Sequence, residues 1–450
     1  MRLSIIGLGK LGSPMAAVMA HKGHHVIGVD LNSDFVDAIR EGRPPVNETG
    51  LEEMIRVNRT RLTATLDYTE AILGSEVTFI IVPTPSGDDG RFSMHCALSA
   101  AEKIGAALRR KKDWHLVSLC STVMPGCTGG ELLPALEAYS GKKCGVDFGL
   151  CYKPEFIALG SVIHNMLHPD MILIGESDAR SGALLEELYN GVCESNPRIQ
   201  RMNFVNAELT KISVNTYVTM KISYANMLAE VCETIPGADV DAVAAAIGCD
   251  TRIGRKYLKG ALGYGGPCFP RDNVAFSAMA RSNGVPALLA EATDQINKRQ
   301  VERLASLVSS RLPGRGTAGI LGLSYKTDTE VIEQSQGVAL AKRFLESGIR
   351  VTVYDPAAME NAKLELPGAQ FASSAHECAR AADVLILMTP WDEFRALGAD
   401  DLKRGATLID CWRLFGAHPP GTASEYIAIG WGMHAHASER AAAAVEGRRQ

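Results

Sequence analysis

The stretch with the most distinctive chemistry in this chain places a cysteine on a stiff, tight turn. Between Leu262 and Asp272 come Gly263, Tyr264, Gly265, Gly266, Pro267, Cys268, Phe269, Pro270 and Arg271. The glycines allow positive φ angles and a close approach of backbone to a ligand, while the two prolines stiffen the residues between them. Arg271 brings a fixed positive charge and Asp272 an acceptor beside it. A thiolate at Cys268 would be stabilised there, and a proton or water could be handled close by. The same run would also suit a small apolar cysteine packed in a structural turn, so the rest of the chain has to decide between the two.

A second chemical motif opens the chain. Arg2 to Ile6 reads as a buried strand, Gly7, Leu8, Gly9, Lys10, Leu11 and Gly12 as a turn, Pro14 to His21 as a helix, and His25 to Val29 as a strand closed by Asp30. Glycine is required at three places: Gly7 for the tight turn, Gly9 so that backbone amides reach a pyrophosphate, and Gly12 for close packing of helix on strand. The phosphates would sit at the helix N-terminus. Asp30 would accept hydrogen bonds from both ribose hydroxyls and repel a 2′-phosphate, so the expected cofactor is NAD rather than NADP.

Strands are expected at Val77–Val82, His115–Leu119, Leu150–Tyr152 and Met171–Ile174, with helical stretches such as Cys96–Arg109 between several of them, which argues a doubly wound, mainly parallel sheet. In such sheets ligands bind beyond the carboxyl ends of the strands. There the sequence places Asp30, then Pro83, Thr84 and Pro85, then Ser121 and Thr122, then Lys153, Pro154 and Glu155. Taken singly, each could be a turn or a helix cap.

From Asn206 to Ile235 runs a long helical pattern stopped by Pro236 and Gly237. At about 100° per residue, Lys211, Asn215, Ile222 and Asn226 share one stripe, either a solvated face or a functional one. Residues 239–310 are again mostly helical. A second α/β unit starts near Gly316, with strands at Ala318–Gly322, Arg350–Tyr354, Val384–Met388 and Thr407–Ile409, and a helix at Val338–Leu345. The fold expected is α/β: two Rossmann-like doubly wound domains joined by a long helix and a helical middle region. Its expected boundaries are 1–203, 204–312 and 313–430, followed by a flexible tail at 431–450.

With 450 residues, 46% hydrophobic and 22% charged, the chain has material for more than one core, and a net charge of −5 offers no basic surface for nucleic acid. Met1 leads straight into the first strand with no leader pattern, and no apolar run would span a bilayer, so a soluble cytoplasmic protein is expected. The eleven cysteines are scattered without any Cys-x-x-Cys spacing, so no metal site is expected. His434 and His436 read as solvated polar residues of the tail.

Taken together, these motifs give the chain a specific resemblance to the UDP-glucose/GDP-mannose dehydrogenase family, over about residues 1–415. The runs that carry it are Val82–Pro85, Ser121–Gly126, Pro154–Phe156, Lys211 with Asn215, Arg252–Gly254, Gly265–Asp272 and Leu321–Lys326. The resemblance implies oxidation of C6 of a nucleotide-linked hexose from alcohol to carboxylate with two successive NAD molecules. Cys268 would carry a thiohemiacetal and then a thioester, Lys211 would stabilise the oxyanion, and Asp272, Thr122 and Glu155 would order water and move protons. Pro83, Thr84 and Thr122 would join the fingerprint in holding the cofactor. Glu155, Phe156, Lys211, Asn215, Tyr264, Gly265, Phe269, Lys326 and Arg413 would hold the substrate. Arg252 would reach the substrate of a neighbouring subunit, making the protein at least a dimer. UDP-glucose is the expected substrate, ahead of GDP-mannose, TDP-glucose or a UDP-N-acetylhexosamine.

The chain departs from the family pattern at four places. Leu159 stands where relatives carry a second glutamate, and Lys153 replaces a small polar residue. Glu333 replaces an arginine, and Arg413 follows one residue more than is common. Two other readings have sequence features against them. A single-hydride β-hydroxyacid dehydrogenase would lack residues 316–415, and a non-catalytic sugar sensor would lack Cys268 or Lys211.

Overall fold

The computed structural model describes residues 1–421, 423 and 425–432. The chain divides into two compact units, with the division between Val214 and Asn215. The first unit is built on eight strands: β1 (Arg2–Ile6), β2 (His25–Val29), β3 (Leu62–Thr65), β4 (Val77–Ile80), β5 (His115–Leu119), β6 (Phe148–Tyr152), β7 (Met171–Glu176) and β8 (Arg198–Met202). Their order is β3-β2-β1-β4-β5-β6-β7-β8, parallel except for the β6–β7 pair. Strands β4, β5 and β6 are buried along their whole length, as expected of a parallel sheet covered on both faces, although they carry the buried polar residues Thr78, His115 and Ser118 among their apolar ones. The order reverses between β1 and β4, and that switch point opens the crevice where such sheets take a dinucleotide.

The second sheet repeats the plan. Strands β9 (Thr317–Leu321), β10 (Arg350–Tyr354), β11 (Gln370–Phe371), β12 (Val384–Leu387), β13 (Thr407–Asp410) and β14 (Glu425–Ala428) run parallel in the order β11-β10-β9-β12-β13-β14. The middle region has small hydrophobic clusters of its own, Ala229, Cys232 and Val240 in one and Ala280, Ala287 and Ala290 in another, and it also shares in the core of this sheet. Leu262, Leu304, Ala305 and Val308 share one hydrophobic cluster with Ala318, Ile320 and Val338, so the helix Leu288–Ser309 is part of the wall of the second sheet. The long helix spans Phe204–Thr234, and the turn after it holds Gly237, whose φ is +81°. At the C-terminal end, Trp431 bridges Asp239, and the Gly432 amide donates to the Ala238 carbonyl, so these two residues of the expected tail are fixed. The rest of that tail, with His434 and His436, lies outside the described residues.

Candidate functional site

In the first unit each fingerprint glycine answers a separate steric demand. Gly7 has φ +98°, and a side chain there would strike the Ile81 carbonyl. A side chain at Gly12 would collide with the Gly7 carbonyl, because the helix Gly12–His21 packs directly on that turn. Gly9 faces open space, with nothing within 4 Å of where a Cβ would stand. Open backbone at a helix N-terminus is the cradle a pyrophosphate needs, so the residues present fit NAD. The Asp30 carboxylate at the end of β2 accepts from the Leu8 amide at 2.6 Å and the Asn32 amide at 2.9 Å, which fixes the fingerprint turn to the neighbouring strand. Lys10 is exposed and Leu11 partly buried.

The loops after β4 and β5 are tied together. The Ser121 hydroxyl donates to the Val82 carbonyl at 2.6 Å and accepts from its amide at 3.0 Å, and the Thr84 hydroxyl donates to the Thr122 carbonyl at 2.7 Å. Pro83, Thr84 and Thr122 thus form one rim with the fingerprint and Asp30. Buried Glu208 braces the far end of the second loop, accepting from the amides of Gly126 at 2.6 Å and Thr128 at 2.8 Å. Sequence reasoning missed this carboxylate.

Beyond β6, Lys211 from the long helix donates to the Glu155 carbonyl at 2.8 Å and stands 4.6 Å over the Phe156 ring. The Glu155 carboxylate is held by Lys153 at 2.5 Å, with both side chains almost fully buried, and accepts from the Tyr189 hydroxyl at 3.3 Å. Glu155, expected to order water and move protons, thus has its carboxylate paired with Lys153.

In the second unit, Cys268 stands at the end of its turn. It is the N-cap of the helix Phe269–Ser282, which has Pro270 at its start, and its side chain is exposed. A helix N-terminus favours a thiolate. By contrast, burial pushes the thiols of Cys378 and Cys127 up to about 12 and those of Cys120 and Cys411 higher still, which keeps them protonated. Asp272, one turn on, is 1% exposed and accepts from the Asn215 side-chain amide at 2.6 Å, with Arg271 at 3.4 Å. Of the three glycines before Cys268 only Gly266 has positive φ, at +84°. A side chain at Gly263 would strike Asn297 and Gln336, one at Gly265 the Gln334 carbonyl, and one at Gly266 the Tyr325 ring.

The helical stripe is buried, not solvated. Asn226 accepts from the Ala261 amide at 2.9 Å and donates to the Leu262 carbonyl at 2.8 Å. Asn297, from the helix Leu288–Ser309, does the same to both sides of Tyr264, at 2.7 and 3.0 Å. Two buried asparagines on separate helices thus set the path of the chain toward Cys268. Asn297 was missed, since nothing in its neighbours separates a buried helical asparagine from an exposed one. Tyr264 is buried, with its ring edge-on to Phe269.

The second sheet also has a fingerprint-like turn. Gly322 has φ +106°, and a side chain at Gly337 would hit its carbonyl, as Gly12 meets Gly7. Fifteen residues separate this pair instead of five (337 − 322 against 12 − 7), and the insertion carries Tyr325 and Lys326. Asp355, placed like Asp30, accepts from the amides of Leu323, Ser324, Ala357 and Ala358 and from the Ser324 hydroxyl. That carboxylate is filled by the fold. The Gly266 amide donates to the Glu333 carbonyl at 2.8 Å, so the insertion and the cysteine turn are joined.

Two substrate candidates stand elsewhere. Arg252 is exposed and paired with Asp250 at 2.6 Å. The Arg413 side chain is buried, grips Asp241 at 2.6 and 2.9 Å and donates to the Ile429 carbonyl at 2.6 Å. Its guanidinium thus ties the end of β13 to β14 and to the helix Val240–Gly248. Among the described residues no cluster of three or more His, Cys, Asp and Glu side chains is placed to hold a metal, and no helix is long and apolar enough to cross a membrane.

A dinucleotide cradle at one switch point, a filled copy of it at a second, and a cysteine on a helix N-terminus define a nucleotide-dependent oxidoreductase with two Rossmann-like sheets. The chain belongs to the UDP-glucose/GDP-mannose dehydrogenase family: the family's NAD binding domain matches residues 1–193, its central domain residues 205–299 and its UDP binding domain residues 319–417. It is accordingly an NAD-dependent enzyme that oxidises a nucleotide sugar. UDP-glucose 6-dehydrogenase AglM of Haloferax volcanii is 38% identical over 420 residues, which cover 92% of this chain and 97% of that one. GDP-mannose 6-dehydrogenase of Pseudomonas aeruginosa is 32% identical over 446 residues, 96% of this chain and 100% of the relative. A solved UDP-glucose dehydrogenase from Pyrobaculum islandicum superposes with a TM-score of 0.87 at 33% identity, covering 96% of this chain and 98% of that structure.

Proposed function

We propose that the enzyme oxidises the C6 hydroxyl of UDP-glucose to the carboxylate, consuming two NAD and one water. The observation that carries the substrate is the 38% identity to a UDP-glucose 6-dehydrogenase across nearly all of both chains, against 32% to a GDP-mannose enzyme. NAD, when bound, takes up the hydride released at each oxidation. The chain's own groups do the rest. Cys268 adds through Sγ to the C6 aldehyde, the thiohemiacetal is oxidised to a thioester, and water cleaves the C–S bond to release the acid and return the thiol. Lys211 stabilises the oxyanion. Asp272, buried and oriented by Asn215, takes the proton of the attacking water. Thr122 helps to order that water and, with Pro83 and Thr84, borders the cofactor. Phe156, Asn215, Tyr264, Gly265, Phe269 and Lys326 serve the substrate.

The working enzyme is at least a dimer. On the long helix Tyr217, Tyr224, Met227 and Val231 form an exposed apolar stripe at helical spacing, and Ile253 and Tyr257, near exposed Arg252, are exposed as well. These residues would face the second subunit.

Asp30 sets the cofactor preference. Asp30→Ala should raise KM for NAD about tenfold or more and narrow the gap to NADP in kcat/KM, read from initial rates with each cofactor. A wild type that prefers NADP would remove this role. The substrate itself is tested by assaying UDP-glucose, GDP-mannose, TDP-glucose and UDP-N-acetylhexosamines for NADH formation. UDP-glucose should lead in kcat/KM by at least about a hundredfold, because buried polar groups reject a ligand that leaves them unpaired. A lead by GDP-mannose would replace the sugar and leave the family unchanged.

A further inference from the structure

One turn of the long helix holds two loops. Lys211 donates to the Glu155 carbonyl at 2.8 Å, in the loop after β6. Glu208, three residues earlier and so about 60° away around the helix, takes the loop after β5. Its two carboxylate oxygens accept separately, one from the Gly126 amide at 2.6 Å and the other from the Thr128 amide at 2.8 Å. Glu208 is fully buried, and burial pushes its pKa up while the Thr128 and Gly126 donors pull the other way. A glutamine of the same shape would avoid burying a charge, but it offers a single acceptor oxygen where the loop presents two donors.

The loop is held differently at its two ends. At the front, the Ser121 hydroxyl is bonded to Val82 and the Thr84 hydroxyl donates to the Thr122 carbonyl, so this end belongs to the cofactor rim. Val123 and Met124 are buried, and the Cys127 amide donates to the Met124 carbonyl at 3.1 Å. At the far end Gly126 has φ +98°, and a Cβ there would meet nothing within 4 Å. Glycine at this position therefore answers to the backbone turn that aims its amide at Glu208, and not to crowding. Beyond it the chain winds through the wide turn Thr128–Leu132 into the helix Leu133–Ser140, where a carboxylate also meets the positive end of the backbone dipoles.

We infer that Glu208 is a positioning residue for the hydrolytic step: it locks the far end of the Ser121–Gly126 loop to the helix turn of Lys211, and so keeps Thr122 in register with that turn. The inference rests on the part proposed above for Thr122 in ordering the attacking water, and it deepens that reading. Ser121 and Thr84 hold the front end independently. Loosening the far end should therefore spare the cofactor and slow the step that uses water.

Four variants test this: Glu208→Gln, Thr122→Ala, the two combined, and Gly126→Ala. With UDP-glucose and NAD, Glu208→Gln should lower kcat about thirtyfold while KM for NAD stays within about twofold of wild type. Rapid mixing should still give a burst of about two NADH per active site before the slow phase, since both hydride transfers precede hydrolysis. In the Thr122→Ala background the same substitution should lower kcat by less than about threefold, because a loop without its hydroxyl has nothing left to position. A glutamate that merely stabilised the fold would lower kcat by the same factor in both backgrounds, and that result would overturn the inference. So would Glu208→Gln at wild-type kcat, or a loss carried by KM for NAD. If Glu208→Gln does not fold, Gly126→Ala decides, since it loosens the same end of the loop through backbone strain alone. It should show the burst and the slow phase, and wild-type kcat or a missing burst would overturn the inference. Thr122→Ala tests the underlying reading separately. Wild-type turnover there would sink the water-ordering role itself, whereas a slow Thr122→Ala with equal Glu208→Gln losses in both backgrounds would sink only the positioning role.

Discussion

Cys268→Ala should abolish steady-state NADH formation, with a loss on the order of a thousandfold or more, while the melting temperature stays within a few degrees of wild type. The two halves of that expectation have different origins. The loss follows from removing the atom that bonds to C6. The unchanged stability follows from the exposure of Cys268 at the N-cap of the Phe269–Ser282 helix. An exposed position of this kind contributes within about 0.5 kcal/mol. Serine at the same position should be no more active, because an alkoxide is far harder to form there than a thiolate. Rates and thermal melts on the same preparations are the measurement. A folded alanine variant at near wild-type rate would return Cys268 to a packing role.

Asp272→Asn should lower turnover by about two to three orders of magnitude in a distinctive way. Asparagine keeps the shape but cannot take a proton from water, so hydrolysis stalls after the thioester has formed. Rapid mixing should show a burst of NADH close to two per active site followed by a slow phase, and intact-mass spectrometry should find the sugar on the protein. The substitution also sets an amide against the Asn215 amide, which donates to Asp272 at 2.6 Å, so a stability loss of about 1–3 kcal/mol is expected. If Asp272 served only to hold Asn215, the stability loss would come with no burst and no trapped adduct.

Much of this site is legible in the sequence wherever a local steric rule applies. Gly7, Gly9 and Gly12 were assigned a turn, an open approach and a close packing, and the backbone meets each demand separately. The stripe of Lys211, Asn215 and Asn226 was visible from helical period alone. Its partners were not, because they come from Glu155, Asp272 and the loop at Ala261, far away in sequence. The cysteine stretch reads as a turn because glycine and proline dominate it, yet Pro270 and Asp272 in the first turn are helix-start signals. Lys153 and Glu155 were both noticed, but their pairing was not drawn from the extended spacing about Pro154. Arg413 is a different case. A lone arginine after a strand cannot be told from a ligand contact until its partner Asp241, 172 residues away, is seen. The second sheet was found, but its turn escaped the glycine pattern because the insertion holding Tyr325 and Lys326 spreads Gly322 and Gly337 apart.

The covalent four-electron oxidation is tested most directly by stoichiometry under limiting nucleotide sugar. With UDP-glucose as the limiting reagent and NAD in excess, wild-type enzyme should form two NADH for each sugar consumed, and the recovered sugar should be the uronate with no free aldehyde at any time. One NADH per sugar, with the aldehyde as the product, would contradict it.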